Sequence, residues 1–203
     1  MLELDHLALA GSTLQDARDA AENALGVSLN DGGEHAVFNT HNALLGLEDG
    51  LYFEAIATNP KAPQPSRPRW FDLDNFVGAP RLTNWICRST DLNASLQQLP
   101  VDAGEPVSLQ RGDLRWSMAV PASGRLPFDN VFPALIQWDS TPTPPELLPK
   151  SGVKLLALTI RHPDVADLSD MLSGFLDDPR VHFETGSAGL AATFETPNGI
   201  RQL

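Results

Sequence analysis

Two side chains in the first quarter of the chain could meet at one ligand. His6 lies in a predicted strand at residues 2–10, and Glu54 lies in another at residues 51–57. If these strands lie side by side, an imidazole nitrogen and a carboxylate oxygen could converge on one divalent ion. Two protein ligands hold a metal weakly. His35 and His41, which fall between the two strands, could supply a further nitrogen.

The same residues permit two other interpretations. Without a metal, His6 and Glu54 form an acid–base pair, and burial would raise the pKa of Glu54, a general base for proton abstraction beside a carbonyl. Alternatively, His6 is a hydrogen-bonded polar residue between modules, Glu54 pairs with an arginine, and His41 and Asn42 form a turn. The sequence leaves all three interpretations open.

The elements that would position these residues recur three times. Each round is a strand, a helix and three more strands, and proline-rich segments separate the rounds. The predicted modules span residues 1–58, 81–140 and 153–203, with a loop or linker at 59–80 and a linker at 141–152. Mixed sheets with helices on one face can curve on the other. The sequence therefore predicts an α+β fold of repeated βαβββ modules with mixed, curved sheets that form a cup.

The first module shows the clearest local signals. Ser12 or Thr13 can cap a helix that begins at Leu14, and Gly26 is placed to end it. Three short strands are predicted at residues 35–38, 43–47 and 51–57, with a turn at 39–42 between the first two. In this pattern His35 lies on a strand, and strand alternation places it on the opposite face from Phe38.

The first and last strands of this module resemble a known family. Residues 4–10, followed by a helix and later by residues 51–57, are similar to the first module of glyoxalase-like domains, in the vicinal-oxygen-chelate superfamily of glyoxalases, bleomycin-resistance proteins and dioxygenases. Residues 33–45 and the hairpin at 195–201 also resemble segments of that family. The resemblance implies that His6 and Glu54 point into the cup and hold a divalent metal.

The resemblance also implies where further site residues would lie. Aligning residues 4–7 with residues 82–85 puts Asn84 opposite His6, and Gln137 falls where Glu54 does. The implied metal ligands are His6, Glu54 and Gln137, with Zn, Ni, Mn or Fe as the ion and Glu54 and His35 as catalytic groups. The implied substrate-binding residues are His41, Asn42, Asn84, Trp85 and Trp138.

Two functions from different classes follow from this resemblance. The first is a metal-dependent isomerase, lyase or dioxygenase acting on a small oxygen-bearing organic substrate. The alternative is a metal-free protein of the bleomycin-resistance type that binds or sequesters a small molecule. A third possibility is an interaction module, in which the third repeat pairs with the same repeat of a partner subunit in a homodimer.

Composition narrows the remaining classes. The formal net charge of −12 argues against binding to nucleic acid or to anionic membrane surfaces, which rely on clustered Lys and Arg. No segment is typical of a membrane span or an export signal, and the single cysteine, Cys87, excludes an internal disulfide, so we expect a cytoplasmic protein. Motifs of nucleophilic hydrolases, kinases and dinucleotide-binding enzymes are absent.

Overall fold

The computed structural model describes all residues from Met1 to Leu203, and its first two thirds form one large sheet. The eight strands of this sheet are β1 (Glu3–Ala10), β2 (Asn30–His35), β3 (Thr40–Gly46), β4 (Tyr52–Thr58), β5 (Arg81–Arg88), β6 (Glu105–Arg111), β7 (Leu114–Val120) and β8 (Ala134–Trp138). Their order across the sheet is β2-β3-β4-β1-β5-β8-β7-β6. The pairs β1–β4 and β5–β8 are parallel and the others antiparallel, so the prediction of a mixed sheet is confirmed.

The last quarter of the chain forms a second, separate sheet. Its strands are β9 (Lys154–His162), β10 (Val181–Thr185), β11 (Gly189–Thr196) and β12 (Gly199–Gln202), in the order β10-β9-β11-β12. The elements follow one another as in the first two units, but the strand order differs. Phe194 packs edge-on against Phe53, with 6.1 Å between ring centroids. The small sheet therefore covers the face of the large sheet that bears Phe53.

Four α-helices and two short 3-10 helices complete the fold. They are α1 (Leu14–Leu25), α2 (Leu92–Gln98), α3 (Pro144–Leu147) and α4 (Val165–Leu172), with 3-10 turns at Glu48–Gly50 and Trp70–Asn75. The Thr13 hydroxyl accepts from the Asp16 amide and caps α1, and Gly26 ends that helix in the left-handed conformation, as predicted. None of these helices has the length and apolar character that a membrane crossing requires.

The strand predicted at residues 35–38 is wrong. The strand there is Asn30–His35, and the chain then turns through Asn39, which has a positive φ of 50°. Sequence patterns do not indicate this strand because it contains the pair Gly32-Gly33, and glycine is uncommon inside strands. Glycine is required at position 32, since a Cβ there would lie 2.1 Å from the Asn42 Oδ1. Phe38 is buried because its ring stacks on Trp70 at 4.4 Å.

Strand pairing brings the two ends of the first unit together. β1 runs parallel to β4, with His6 opposite Tyr52 and Ala8 opposite Glu54. On its other side β1 pairs with β5 and joins the two halves of the sheet, with a shift of register between Leu4 and His6. The sheet curves until its edge strands β2 and β6 approach each other. This curvature makes the predicted cup from the first two units.

Both proline-rich segments contribute to the cup. The segment at residues 59–80 carries Trp70 and Phe71, which are buried and line the cup. The segment at 141–152 contains α3, whose first residue, Pro144, also reaches the cup. No residue of the second sheet lines it.

Candidate functional site

The cup combines a few polar groups with a wall of aromatic rings. Its open volume is about 30 Å³, which is room for one or two water molecules or an ion. The polar residues that line it are His6, His35, Asn42, Glu54 and Arg111. The aromatic residues are Tyr52, Trp70, Phe71, Trp116 and Trp138. An apolar pocket with a few convergent polar groups is typical of a small-molecule site.

His6 lies between two buried carboxylates at the base of the cup. Its Nδ1 is 2.6 Å from Asp5 Oδ1, and its Nε2 is 3.7 Å from Glu54 Oε2. The irregular pairing of β1 with β5 falls at Asp5, which allows adjacent residues to interact although regular strand neighbours point to opposite faces. Asp5 also accepts a hydrogen bond from the Trp138 indole at 3.1 Å. Asp5 therefore fixes the His6 ring from behind and leaves Nε2 facing the cup.

His6 and Glu54 each favour the charged form of the other. Burial lowers the pKa of His6, but the hydrogen bond to Asp5 and the nearby carboxylate of Glu54 outweigh burial, and the pKa is raised above 6.5. Burial raises the pKa of Glu54, yet the nearby imidazole of His6 outweighs burial, so that the pKa is lowered. The expectation that burial would raise the pKa of Glu54 is therefore wrong. Glu54 is ionised at neutral pH, and the charged form of His6 is favoured.

Asn42 connects the first half of the cup to the second. Its amide Nδ2 donates to Glu54 Oε1 at 2.6 Å. Its Oδ1 accepts from the Gly33 backbone amide at 2.8 Å and from Arg111 Nη1 at 3.1 Å. Asn42 is 5% exposed, so these bonds form out of contact with bulk water. The amide holds one oxygen of Glu54 and leaves the other for His6.

His35 is a neutral group at the wall of the cup. Burial lowers its pKa to about 4. Its Nδ1 is 2.9 Å from the Thr40 hydroxyl, and its Nε2 lies 3.4 Å from the Asn42 amide nitrogen and 3.5 Å from Arg111 Nη1. Since Asn42 and Arg111 offer only donors here, Nε2 is the acceptor and Nδ1 carries the proton. His35 thus positions the Asn42 and Arg111 side chains.

The cup brings together only part of the predicted site. His6, His35, Asn42, Glu54 and Trp138 line it, whereas four other predicted residues lie elsewhere. His41 points to the opposite face of β3, beside Ser12 and Thr13. The prediction that His41 binds substrate in the cup is therefore wrong, because its neighbour Asn42 faces inward and strand alternation turns His41 away.

Three of the four residues predicted in the second half, all except Trp138, have structural contacts outside the cup. Gln137 accepts from the Leu92 amide at 2.8 Å at the start of α2, so it is no metal ligand of the cup. Trp85 is fully buried and donates to the Val131 carbonyl at 2.9 Å. Asn84 is fully buried, does not line the cup, and donates its amide to the Asn130 carbonyl at 3.4 Å.

Sequence reasoning missed three residues that complete the site. Tyr52 stacks on His6 at 4.1 Å, and its hydroxyl is 3.3 Å from His6 Nε2. Its position two residues before Glu54 on one strand was the signal available. Asp5 directly precedes His6, but only the irregular pairing reveals that both meet at one site. Arg111 enters from a distant edge strand, which no sequence pattern indicates.

The donor set does not fit a metal held by protein ligands alone. His6 Nε2 and Glu54 Oε2 are the two suitable donors, and the Asp5–His6 contact is of the kind that orients metal-binding histidines. The chain nevertheless contains no group of three or more His, Cys, Asp or Glu residues placed to hold a metal. In the second half, the cup is lined instead by Met118, Ile136 and the two tryptophans of β7 and β8. Stable metal sites in proteins usually have at least three protein ligands.

Comparison with known proteins identifies the family. A model of the glyoxalase-like domain matches residues 4–176. The chain belongs to this glyoxalase-like family. The match places the glyoxalase-like chain within the vicinal-oxygen-chelate superfamily, as the sequence resemblance implied, and it ends before β10. No curated protein matches the chain.

Several solved structures are similar to this glyoxalase-like protein, and one with a TM-score above 0.5 shares its fold. A hypothetical protein from Staphylococcus aureus has a TM-score of 0.61 at 14% identity and covers 93% of this chain and 88% of its own. Methylmalonyl-CoA epimerase from Mycobacterium tuberculosis has a TM-score of 0.44 at 19% identity, covering 69% of this chain and 89% of its own. The epimerase from Streptomyces coelicolor, in complex with 2-nitronate-propionyl-CoA, has a TM-score of 0.44 at 14% identity, with 69% of this chain and 100% of its own covered.

Proposed function

We propose that this glyoxalase-like protein is an enzyme that moves a proton at a carbon next to a carbonyl group of a small organic substrate. The observation that carries the proposal is the buried Asp5–His6–Glu54 arrangement, with separations of 2.6 and 3.7 Å, at the base of an aromatic cup. A carboxylate whose pKa is lowered beside an imidazole whose pKa is raised is a base next to an acid, the pairing that such a transfer requires.

The proposed reaction balances without a further reagent. Glu54 takes the proton from the carbon, and the electron pair of the C–H bond moves toward the carbonyl carbon. The carbonyl oxygen takes the proton that His6 Nε2 donates, with the Tyr52 hydroxyl as a second hydrogen-bond donor. Return of a proton to the opposite face of the same carbon gives the epimer, and where that carbon bears a hydroxyl, return to the former carbonyl carbon moves the carbonyl group and gives a positional isomer. Asp5 holds the His6 ring during both steps, and Asn42 holds the carboxylate.

A substrate must enlarge the cup when it enters. The open volume of about 30 Å³ is well below the ~300 Å³ at which typical ligand pockets begin. Trp138 and Arg111 are half-buried, whereas the other aromatic residues of the wall are buried. We therefore expect entry to move Trp138 and to leave His6 and Glu54 in place.

The proposal is tested by exchange of hydrogen for deuterium. Small ketones and 2-oxo acids are incubated with the protein in D2O, and loss of the signal from hydrogens beside the carbonyl is followed by proton NMR. We expect exchange with at least one compound to exceed the rate in buffer. The Glu54→Gln variant should lose on the order of 100-fold or more of this rate, because the base is removed.

The control for this test is a glutamate outside the cup. Glu195 is exposed on β11, so Glu195→Gln should exchange at the rate of the parent protein. Equal rates in the parent and Glu54→Gln, or no exchange above buffer with any compound, would contradict the proposal. Binding of these compounds without exchange would instead support the metal-free binding protein.

One observation favours a second candidate, a metal-dependent isomerase, lyase or dioxygenase. The contact from Asp5 to His6 Nδ1 leaves Nε2 free beside Glu54, as in sites where a carboxylate orients a metal-binding histidine. Such an ion, Zn, Ni, Mn or Fe, would need other donors from water or substrate. Metal content by plasma mass spectrometry separates the candidates: stoichiometric metal that His6→Ala loses supports the second, and exchange by metal-free protein supports the first.

A further inference from the structure

Arg111 extends into the cup from the opposite half of the large sheet. It ends β6, the edge strand that approaches β2 when the sheet curves. The contact is close, because a Cβ at Gly33 would lie 2.6 Å from Arg111 Cδ. Arg111 Nη1 donates to Asn42 Oδ1 at 3.1 Å. The guanidinium is therefore held at the wall of the cup by the residue that also binds Glu54.

The charge of Arg111 has no partner in the protein. No carboxylate lies within ion-pair distance of its guanidinium, and Nη1 is the only nitrogen of the group that contacts another side chain. Glu54 does not neutralise it, since its two oxygens face Asn42 and His6. A half-buried charge without a counter-ion is costly, and a planar guanidinium matches a carboxylate in two parallel hydrogen bonds.

A second donor in the cup also lacks an acceptor. Trp70, which is 4% exposed, lines the cup, and its indole Nε1 is buried without a hydrogen-bond partner. Buried N–H groups are nearly always paired, so an unpaired one beside a cavity indicates a missing acceptor. Trp70 packs edge-on against His35, which lies 3.5 Å from Arg111 Nη1, so an oxygen-rich anion at Arg111 would bring acceptors to this part of the wall.

We infer that the cup selects substrates that carry a carboxylate, which binds Arg111 through the guanidinium nitrogens that the protein leaves unused. A single side chain, Asn42, separates Arg111 from Glu54, with contacts of 3.1 and 2.6 Å. The carboxylate and the reacting carbon must therefore lie close together in the substrate. The substrate class is a short carboxylic acid with a carbonyl near the acid group, such as a 2-oxo or 3-oxo acid. The reacting carbon, though not the carboxylate site, rests on the function proposed above.

Calorimetric titration tests this selectivity with defined probes. Pyruvate and 2-oxobutanoate are compared with their neutral primary amides, which match them in size. We expect the acids to bind the parent protein more tightly than the amides. Arg111→Met should weaken binding of the acids on the order of 10- to 100-fold, as expected for loss of a charged hydrogen-bond partner, and should leave the amides little changed.

Two further variants separate charge from folding. Arg111→Lys keeps the charge but not the two parallel bonds, so we expect it to bind the acids with an affinity between those of the parent and Arg111→Met. Arg115 lies on the same hairpin, exposed and unpaired with any carboxylate, so Arg115→Met should bind as the parent does. Circular dichroism of each variant shows whether the fold is retained.

The results that overturn this inference differ from those that overturn the proposed function. Equal affinity for acids and amides, unchanged acid binding in Arg111→Met, or no acid binding to the parent would each overturn it. Exchange of neutral ketones that depends on Glu54 would keep the proposed function in that case. Acids that bind through Arg111 without any deuterium exchange would keep the carboxylate site and overturn the proton transfer.

Discussion

The buried, neutral state of His35 predicts a measurable loss of stability in acid. Burial holds the pKa of His35 at about 4 in the folded protein, against an ordinary value of 6.5. As the pH falls below 6.5, the unfolded chain takes up a proton at this position and the folded protein does not. Stability is therefore complete above pH 6.5 and is lost as the pH falls toward 4. At about 1.4 kcal/mol per pH unit, the total loss is about 3 kcal/mol.

The window between pH 6.5 and 4.5 isolates this effect. Glu54, whose pKa is lowered, keeps its full contribution to stability above pH 4.5, and His6, whose pKa is raised, keeps its own below pH 6.5. His41, whose pKa burial also lowers, contributes equally to parent and variant and cancels in the comparison. We expect the parent to lose about 2 kcal/mol more than His35→Gln across this window.

Urea denaturation at intervals of pH measures the difference. The unfolding free energy of the parent, His35→Gln and the control His182→Gln is determined at each pH from 7 to 4.5. His182 serves as the control because it is an exposed residue of β10. The control should follow the parent. Parallel curves for the parent and His35→Gln would refute the assignment of a buried, neutral His35.

Two further predictions concern the support of the cup. Phe194→Ala should lower the unfolding free energy by about 3–5 kcal/mol, since Phe194 is fully buried against Phe53, but it should leave deuterium exchange per folded molecule unchanged. An equal loss of exchange would contradict the separation of the second sheet from the site. Gly32→Ala should reduce both stability and exchange, because its Cβ would displace Asn42 from Glu54, and the loss in stability should be about 1–3 kcal/mol. Gly174→Ala, which meets no atom within 4 Å, is the control, and equal effects of both substitutions would argue against the clash.

Local rules predicted those elements whose signals lie within one segment. The cap at Thr13 and the left-handed Gly26 follow from backbone sterics and hydrogen bonding, and both were found in the structure. The strand that contains Gly32 was missed, because its glycines serve a close approach by Asn42 and not the usual strand pattern. That approach depends on a tertiary contact that no short window contains.

The site residues also differ in whether the sequence could predict them. His6 and Glu54 were predicted to meet because they lie on strands that pair in a βαβββ unit, and the structure places them 3.7 Å apart. Gln137 was placed by aligning two halves of the sequence, and its side chain instead binds the start of α2. Arg111 joins the site only because the large sheet curves until its edges approach. Curvature of this kind is a property of the whole sheet.

The most direct test of the account is whether His6 and Glu54 act as one unit. The rate of deuterium exchange is measured for the parent, His6→Gln, Glu54→Gln and the double variant, with the best substrate of the panel. Residues that act in one step are strongly non-additive, so the double variant should be about as slow as the slower single variant. Losses that multiply in the double variant, or a rate in either single variant equal to that of the parent, would contradict the account.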